Sequence, residues 1–391
     1  MNFKKIFYAA AAAANAVSIT AGIILTAMGS SLAKSQEYNY AAEKWDNSGG
    51  YSQISCFLSD SSGLNTDNIT SLTSGLMTSL QDISVSQNDK GQKLIPQAYS
   101  ASAGQMTVRS DKTTGRSEAK LTAVGGDFFF FRDFTLLDGS YFSESDIKQD
   151  GAVIDRKLSW ALYGSDKTAG MSIYINDIKF YIAGVIDDPQ DKLEKRTAGD
   201  TPRAYISYEA TSLLSLNDDS DDKKVSGDFD FSEPEAEGMK KISCFECLMP
   251  NPVKNFAYNT VKEAFESSYP KMYRIVDNSS RFEPSVRAKA FKKLSNYAIS
   301  DSSAVYPYWE NASRIAEFKL SNIYFYRRLT YIIPILTGLW LLVILYKAIG
   351  RLRKKAASKA LAAVNDAVYY HGLKKNERSK AKDESNNKEE G

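Results

Sequence analysis

Residues 125–186 read GGDFFFFRDFTLLDGSYFSESDIKQDGAVIDRKLSWALYGSDKTAGMSIYINDIKFYIAGVI. Apolar segments of a few residues alternate here with Asp, Gly and Ser punctuation, at Asp138-Gly139, Gly151, Gly164 and Gly170. Such segments are strand-sized, and the dividers are residues that tolerate turn geometry. The stretch ends on an expected strand pair, Met171–Ile175 and Lys179–Ile186. A compact, mostly β subdomain is predicted.

Outward from it the texture changes. Upstream, Tyr51–Leu58 reads as a strand and Asp67–Leu80 as a helix. Asp67 is the expected N-cap, and Ile69, Leu72, Leu76 and Leu80 recur at helical spacing. Ala98–Val108 and Ser117–Val124 alternate around the turn-rich Ser110–Gly115 and predict a hairpin. Downstream, an acidic stretch, Asn217–Glu237, reads as a solvated loop without the carboxylate spacing of an EF-hand calcium site. A strand at Lys241–Met249, a helix at Val253–Ser268, a strand at Lys271–Val276 and a helix at Pro284–Tyr297 follow; Pro284 sits early in its helix, where a missing donor is harmless. The second half echoes the first. The predicted class is α+β, with a discontinuous α/β lobe (30–124 and 238–328) interrupted by an inserted β lobe (125–237).

At the ends lie two apolar runs without a charged side chain, Ile6–Gly29 of 24 residues and Leu329–Tyr346 of 18. A hydrocarbon core of about 30 Å needs about 20 helical residues, so each run can span it. The first exceeds the usual h-region of a cleaved signal and reads as a retained anchor. Tyr324, Tyr326, Arg327, Arg328 and Tyr331 flank one side of the second run, and Tyr346, Lys347, Arg351, Arg353, Lys354 and Lys355 the other, as interface anchors do. Residues 1–5 and 347–391 together carry 14 basic and 6 acidic side chains, against 35 and 41 between them. Positive charge stays inside, so both termini are expected in the cytoplasm, with the large domain outside a two-pass plasma-membrane protein. Ala9–Ala14, Ala16 and Gly22 offer a small-residue packing face, and Asn15 a hydrogen bond across it.

The central residues also carry a family likeness. Gly125-Gly126-Asp127-Phe128-Phe129, Leu136-Leu137-Asp138-Gly139-Ser140-Tyr141-Phe142, Asp146, Val153-Ile154-Asp155, Leu158, Ala161-Leu162-Tyr163-Gly164, Gly170, Ile173-x-Ile175-Asn176 and Tyr181-x-Ala183-Gly184-Val185 occur in an order and spacing that resembles the MacB-like periplasmic core domain. That domain belongs to permease subunits of the MacB and FtsX type of ABC transporter. The resemblance implies a two-lobed extracytoplasmic domain that works with a partner ATPase and a further permease, as a homo- or heterodimer. Complete permeases of this kind follow the domain with three more spans, where this sequence shows one. Asn176-Asp177 also stands where an Asn-Gly turn is usual.

Chemistry is sparse. The composition, 43% hydrophobic, 12% aromatic and 25% charged, is that of a folded globular chain. The one histidine, His371, lies in the basic tail, and no Gly-x-x-x-x-Gly-Lys-Ser/Thr loop is present, so any ATP must be hydrolysed by a partner. Cys244-x-x-Cys247 lies in an apolar strand with no second ligand pair, so packing is expected over metal or redox work; a Cys56–Cys244 bond stays open. Asp127 with Asp133, and Glu310, read as turn and capping groups rather than catalysts. No enzymatic activity, cofactor, metal or nucleic-acid partner is expected.

Two partner-contact candidates remain. Tyr306, Tyr308 and Trp309, just before the second run, would pack the foot of the domain or meet a partner. Arg351, Arg353, Lys354 and Lys355 lie in a helix expected over Lys347–Tyr370, with Ile349, Leu352, Ala356, Ala360, Val364 and Val368 on one face, suited to lipid headgroups or an ATPase. Lys374–Gly391 is expected to be disordered. The expected function is a membrane-anchored, permease-like subunit of an ABC transporter; the alternative is a binding or sensing module anchored by the same two spans.

Overall fold

A computed structural model of the chain describes residues 3–85, 93–132, 134–143, 145–216, 241–269, 273–290 and 306–386. The acidic stretch 217–237 and the extreme tail lie outside these residues, as do Asp133 and parts of the segments expected at 271–276 and 284–297. The strands are β1 (Tyr51–Leu58), β2 (Gln97–Ser110), β3 (Arg116–Gly126), β4 (Leu136–Gly139), β5 (Gly151–Asp155), β6 (Ser172–Ile175), β7 (Ile178–Ile186), β8 (Arg203–Ser207), β9 (Cys244–Pro250) and β10 (Tyr273–Asp277). The helices are α1 (Phe3–Lys34), α2 (Ala41–Trp45), α3 (Thr66–Asp82), α4 (Phe128–Phe131), α5 (Arg156–Tyr163), α6 (Lys192–Ala198), α7 (Thr211–Leu216), α8 (Phe256–Ser268), α9 (Asn278–Arg281), α10 (Pro284–Ala290), α11 (Tyr308–Thr330) and α12 (Ile332–Asn386). Two compact units divide the chain, residues 25–325 and residues 1–24 with 326–391.

In the larger unit all ten strands join one mixed sheet in the order β10-β1-β9-β2-β3-β8-β5-β7-β4, with β6 paired to β2 and β7. Strands from both sides of the acidic stretch gather at one end, since β1 pairs with β9 and β10, and the strands of 136–207 gather at the other. The β2–β3 hairpin bridges them, parallel to β8 on its far side. Strands from both expected segments thus share one hydrogen-bonded sheet.

Alternation assigns every strand residue to a face. Ile54, Cys56, Phe245, Cys247, Ala152, Ile154, Ala204 and Ile206 lie in a core cluster with α3 (Ile69, Leu76, Leu80) and α8 (Val261, Phe265). Leu248, Val153 and Tyr205 lie in a second cluster with α2, α4 and Trp309 of α11. Covered on both sides, β9 is buried along its whole length, which is why Ile242–Met249 is almost continuously apolar.

Local chemistry closes the elements. The N-cap of α3 is Asn65, which accepts from Asn68 N while Asn68 Oδ1 accepts from Asn65 N, so the capping pair lies two residues before the expected Asp67. Asp155 caps α5, which ends on left-handed Gly164. Asn176 and Asp177 have φ of 48° and 66°, the type I′ geometry of a two-residue hairpin, reached here without glycine. Gly139 is less replaceable: its φ is +72°, and a Cβ there would lie 2.1 Å from Ala183 O.

The smaller unit is helical. Two segments are long and apolar enough to cross a membrane, Lys5–Lys34 and Tyr308–Asn376. Pro334 has no N–H for the carbonyl four residues back, so α11 and α12 part at Tyr331, and Thr330 O instead accepts Ser18 Oγ at 2.5 Å. Asn15 Oδ1 accepts Thr337 Oγ1 at 2.9 Å, and Trp340 meets Phe7 and Tyr8 with ring centroids 5.6 and 5.5 Å apart. The small-residue face of the first segment therefore meets the second. α12 continues to Asn386, through a region whose composition predicts disorder; its Lys, Glu, Arg and Ala are good helix formers.

Candidate functional site

α11 leads, in sequence, from the sheet to the second apolar segment. Its first turns lie against the sheet face that also carries α2 and α4. Aromatic packing starts the contact. Tyr308 OH lies 3.1 Å from Tyr205 OH, and the Arg203 guanidinium stands 4.4 Å from the Tyr308 ring centroid. Trp309 meets Phe128 edge to face at 5.8 Å. Half-buried Tyr306 meets Phe57 at 5.4 Å and lies under Arg314 at 4.3 Å. Tyr308 and Trp309 are buried: burial raises the Tyr308 phenol pKa, and Trp309 is 4% exposed.

Beside the aromatics runs a chain of buried charge. Arg132, 1% exposed, follows four phenylalanines and sits in a cage of Trp309, Phe128 and Tyr38, at 4.3, 5.3 and 5.5 Å from the ring centroids. Burial pulls its pKa down, and its Nη2 donates to Glu246 of β9. Glu246 also accepts Ser55 Oγ at 2.8 Å, and Asn278 Nδ2 donates to Ser55 Oγ at 2.6 Å. Asn278 Oδ1 accepts Arg281 Nη1 at 3.2 Å. Arg281 then forks onto Glu310, with both Nη atoms at 2.7 Å from its carboxylate oxygens, while its Nε reaches Glu317 at 3.0 Å. Arg287 Nη1 also reaches Glu317 at 3.0 Å, and Asn39 ties Arg281 to Ser313.

The chain holds three arginines and three glutamates, all buried, so its charge balances within the protein. Burial works against both members of the central pair: it lowers the Arg281 pKa and raises that of Glu310. Glu310 and Glu317 outweigh it at Arg281, whose pKa ends well above the ordinary value; at Glu310, Arg281 opposes the rise without cancelling it. Glu310 and Glu317, about two helical turns apart on α11, therefore fix its docking to α9, α10 and, through Asn278 and Ser55, to β1 and β9.

Among the described residues, the carboxylates and thiols singled out above are held by partners or buried. Asp127 pairs with Lys93 at 2.8 Å and Glu310 is consumed by Arg281. Cys56 pairs in register with Phe245, and Cys244 with Phe57, which puts the two sulfurs on opposite faces of neighbouring strands. The Cys56–Cys244 bond is thereby ruled out. All three thiols are free and buried; burial pushes Cys244 and Cys247 up to about 12, and Cys56 well above its ordinary value. Arg351, Arg353, Lys354 and Lys355 are exposed on α12 in the other unit, so the two groups of candidate residues belong to different bodies. Sequence reasoning missed Arg132, Glu246, Arg281, Arg287 and Glu317. One signal was there: Glu246 is the lone carboxylate inside an otherwise apolar strand.

The family profile of the MacB-like periplasmic core domain matches residues 9–229, more than half of the chain. A curated relative, the macrolide export ATP-binding/permease protein MacB of Pasteurella multocida (strain Pm70), is 30% identical over 82 residues, which are 20% of this chain and 13% of that protein. The chain thus matches only a small part of that relative's length. Among solved structures, the periplasmic region of MacB from Actinobacillus actinomycetemcomitans aligns with 14% identity and a TM-score of 0.38, over 58% of this chain and 89% of that one. The extracellular domain of the noncanonic ABC-type transporter YknZ from Gram-positive bacteria aligns with 12% identity and a TM-score of 0.36, over 57% of this chain and all of that one.

Proposed function

Because the chain belongs to the MacB-like periplasmic core domain family of ABC-transporter permeases, we propose that it is a membrane-anchored permease subunit coupling a partner ATPase and a further permease to an extracytoplasmic substrate or process. Two spans hold it, with both termini in the cytoplasm and residues 30–328 outside. The sequence carries no Gly-x-x-x-x-Gly-Lys-Ser/Thr loop, and the work we assign to the chain is mechanical.

The observation that favours this reading is the buried charge chain on α11. A helix attached only by apolar side chains slides at modest cost, whereas one pinned by Arg281 to Glu310 and Glu317 must break several desolvated ion pairs to move alone. Displacement of the helix therefore carries the sheet with it. Purification of the tagged full chain from its native membrane in mild detergent is expected to recover an ABC-type ATPase and a multi-span permease. Recovery of neither, or of a sensor kinase instead, overturns the proposal in favour of a sensing module.

A further inference from the structure

In the smaller unit α12 runs without a break past Tyr346, the end of its apolar segment, into a dense group of cations: Lys347, Arg351, Arg353, Lys354, Lys355 and Lys359. All six side chains are exposed. The first acidic residue on the helix is Asp366, so α12 itself offers no carboxylate beside them.

The group has a side. At about 100° per residue, Lys347, Arg351, Lys354, Lys355 and Lys359 fall within roughly 140° of arc, and Arg353 alone falls outside it. Ile349, Leu352, Ala356 and Ala360 take the other side. Cations that only set topology need no preferred side, because that rule counts residues and not faces. A one-sided basic face is the form of a surface that meets anions.

Its height along the helix identifies them. At about 1.5 Å per residue, Lys347 to Lys355 lie at most about 14 Å past Tyr346. Polar headgroups occupy roughly 5–7 Å beyond the hydrocarbon, and the long stems of Lys and Arg let their charges reach back to that layer. Tyr346, 80% exposed, marks the boundary as interfacial tyrosines do. The start of α1, with Lys5, comes to the same end, since Phe7 and Tyr8 pack on Trp340.

We propose that this face of α12 binds the phosphodiester headgroups of anionic phospholipids, with Arg351 forking onto one phosphate and the lysines holding its neighbours as point charges. A zwitterionic headgroup brings its own cation and gains little. The binding needs the second span but neither the ATPase nor the further permease, so this inference and the proposed coupling fail separately.

The test is native mass spectrometry of the purified full chain in a neutral maltoside detergent, titrated with phosphatidylglycerol or with phosphatidylcholine of the same acyl chains. Phosphatidylglycerol should be retained at a concentration about tenfold lower, an advantage that shrinks as salt rises. Inorganic phosphate at matched ionic strength should not displace it. Arg351→Gln should cut the advantage about fivefold, and Arg353→Gln, on the far side, less than about twofold. Gln at all five positions of the face should abolish it, whereas Lys262→Gln on α8 should leave it whole; melting temperatures matching the parent show that these exposed substitutions leave the fold intact. Equal retention of the two lipids by the parent overturns the inference, as does displacement by free phosphate, an undiminished advantage in the chain with five Gln, or equal losses in Arg351→Gln and Arg353→Gln. An acidic protein that co-purifies with the parent and is lost with the five Gln, in the absence of any lipid preference, overturns it in favour of a protein-docking face.

Discussion

Arg132 and Arg281 do at residue level what arginine does best in an interior, offering a planar fork to a carboxylate while an aromatic ring or an amide occupies its remaining surface. Removing one partner strands the other. Arg281→Met should cost about 3–5 kcal/mol of stability, read from chemical denaturation of the larger unit within the full chain, because Glu310 and Glu317 would be left buried and uncompensated. Arg132→Met should cost a similar amount, and adding Glu246→Leu should recover most of it, since both ends of that pair are then apolar. Glu194 predicts a pH effect of definite sign. Burial, with Asp191 adding to it, raises its folded pKa to about 7, above its unfolded value. The folded state therefore holds the proton more tightly, and this contribution is full below the unfolded pKa and lost as pH rises through about 7. Glu194→Gln should raise the melting temperature at pH 8 and change it little at pH 4, a difference of roughly 1–3 kcal/mol.

Elements were more legible than their partners. The β2–β3 hairpin and the helices α3 and α8 announce themselves through period-two or helical spacing, because each has a face that must be buried, and β9 through a nearly continuous apolar run, because both its faces are covered. Which strand lies beside which is set by pairings between distant residues, such as Tyr99 with Phe245, and no local pattern encodes those. Buried charge was illegible for a related reason: Arg281 in sequence looks like any surface arginine, and only the approach of Glu310, 29 positions on, makes it interior. Strand alternation carries its own prediction. Native protein should take up no maleimide at Cys56, Cys244 or Cys247, and denatured protein three equivalents, as read by mass. Gly139→Ala should destabilise by at least about 2 kcal/mol, since its left-handed backbone and the nearby Ala183 carbonyl both exclude a methyl group.

For the whole molecule, inert native thiols make the parent chain a ready background for mapping its orientation. Asp200→Cys, on an exposed turn, should react in intact cells with a membrane-impermeant maleimide, and Lys355→Cys only after permeabilisation. The opposite pattern would invert the proposed arrangement. Sheet order has one more consequence. Tyr51 of β1 pairs with Pro250 of β9, and Leu58 with Tyr273 of β10, so the earliest strand to leave the ribosome finds both neighbours only after some 200 further residues have followed. Its apolar side chains must wait, unpaired, beside a nascent anchor while the intervening strands form. Synthesis of this chain thus passes through a long vulnerable interval, in which a holding chaperone would have most to gain.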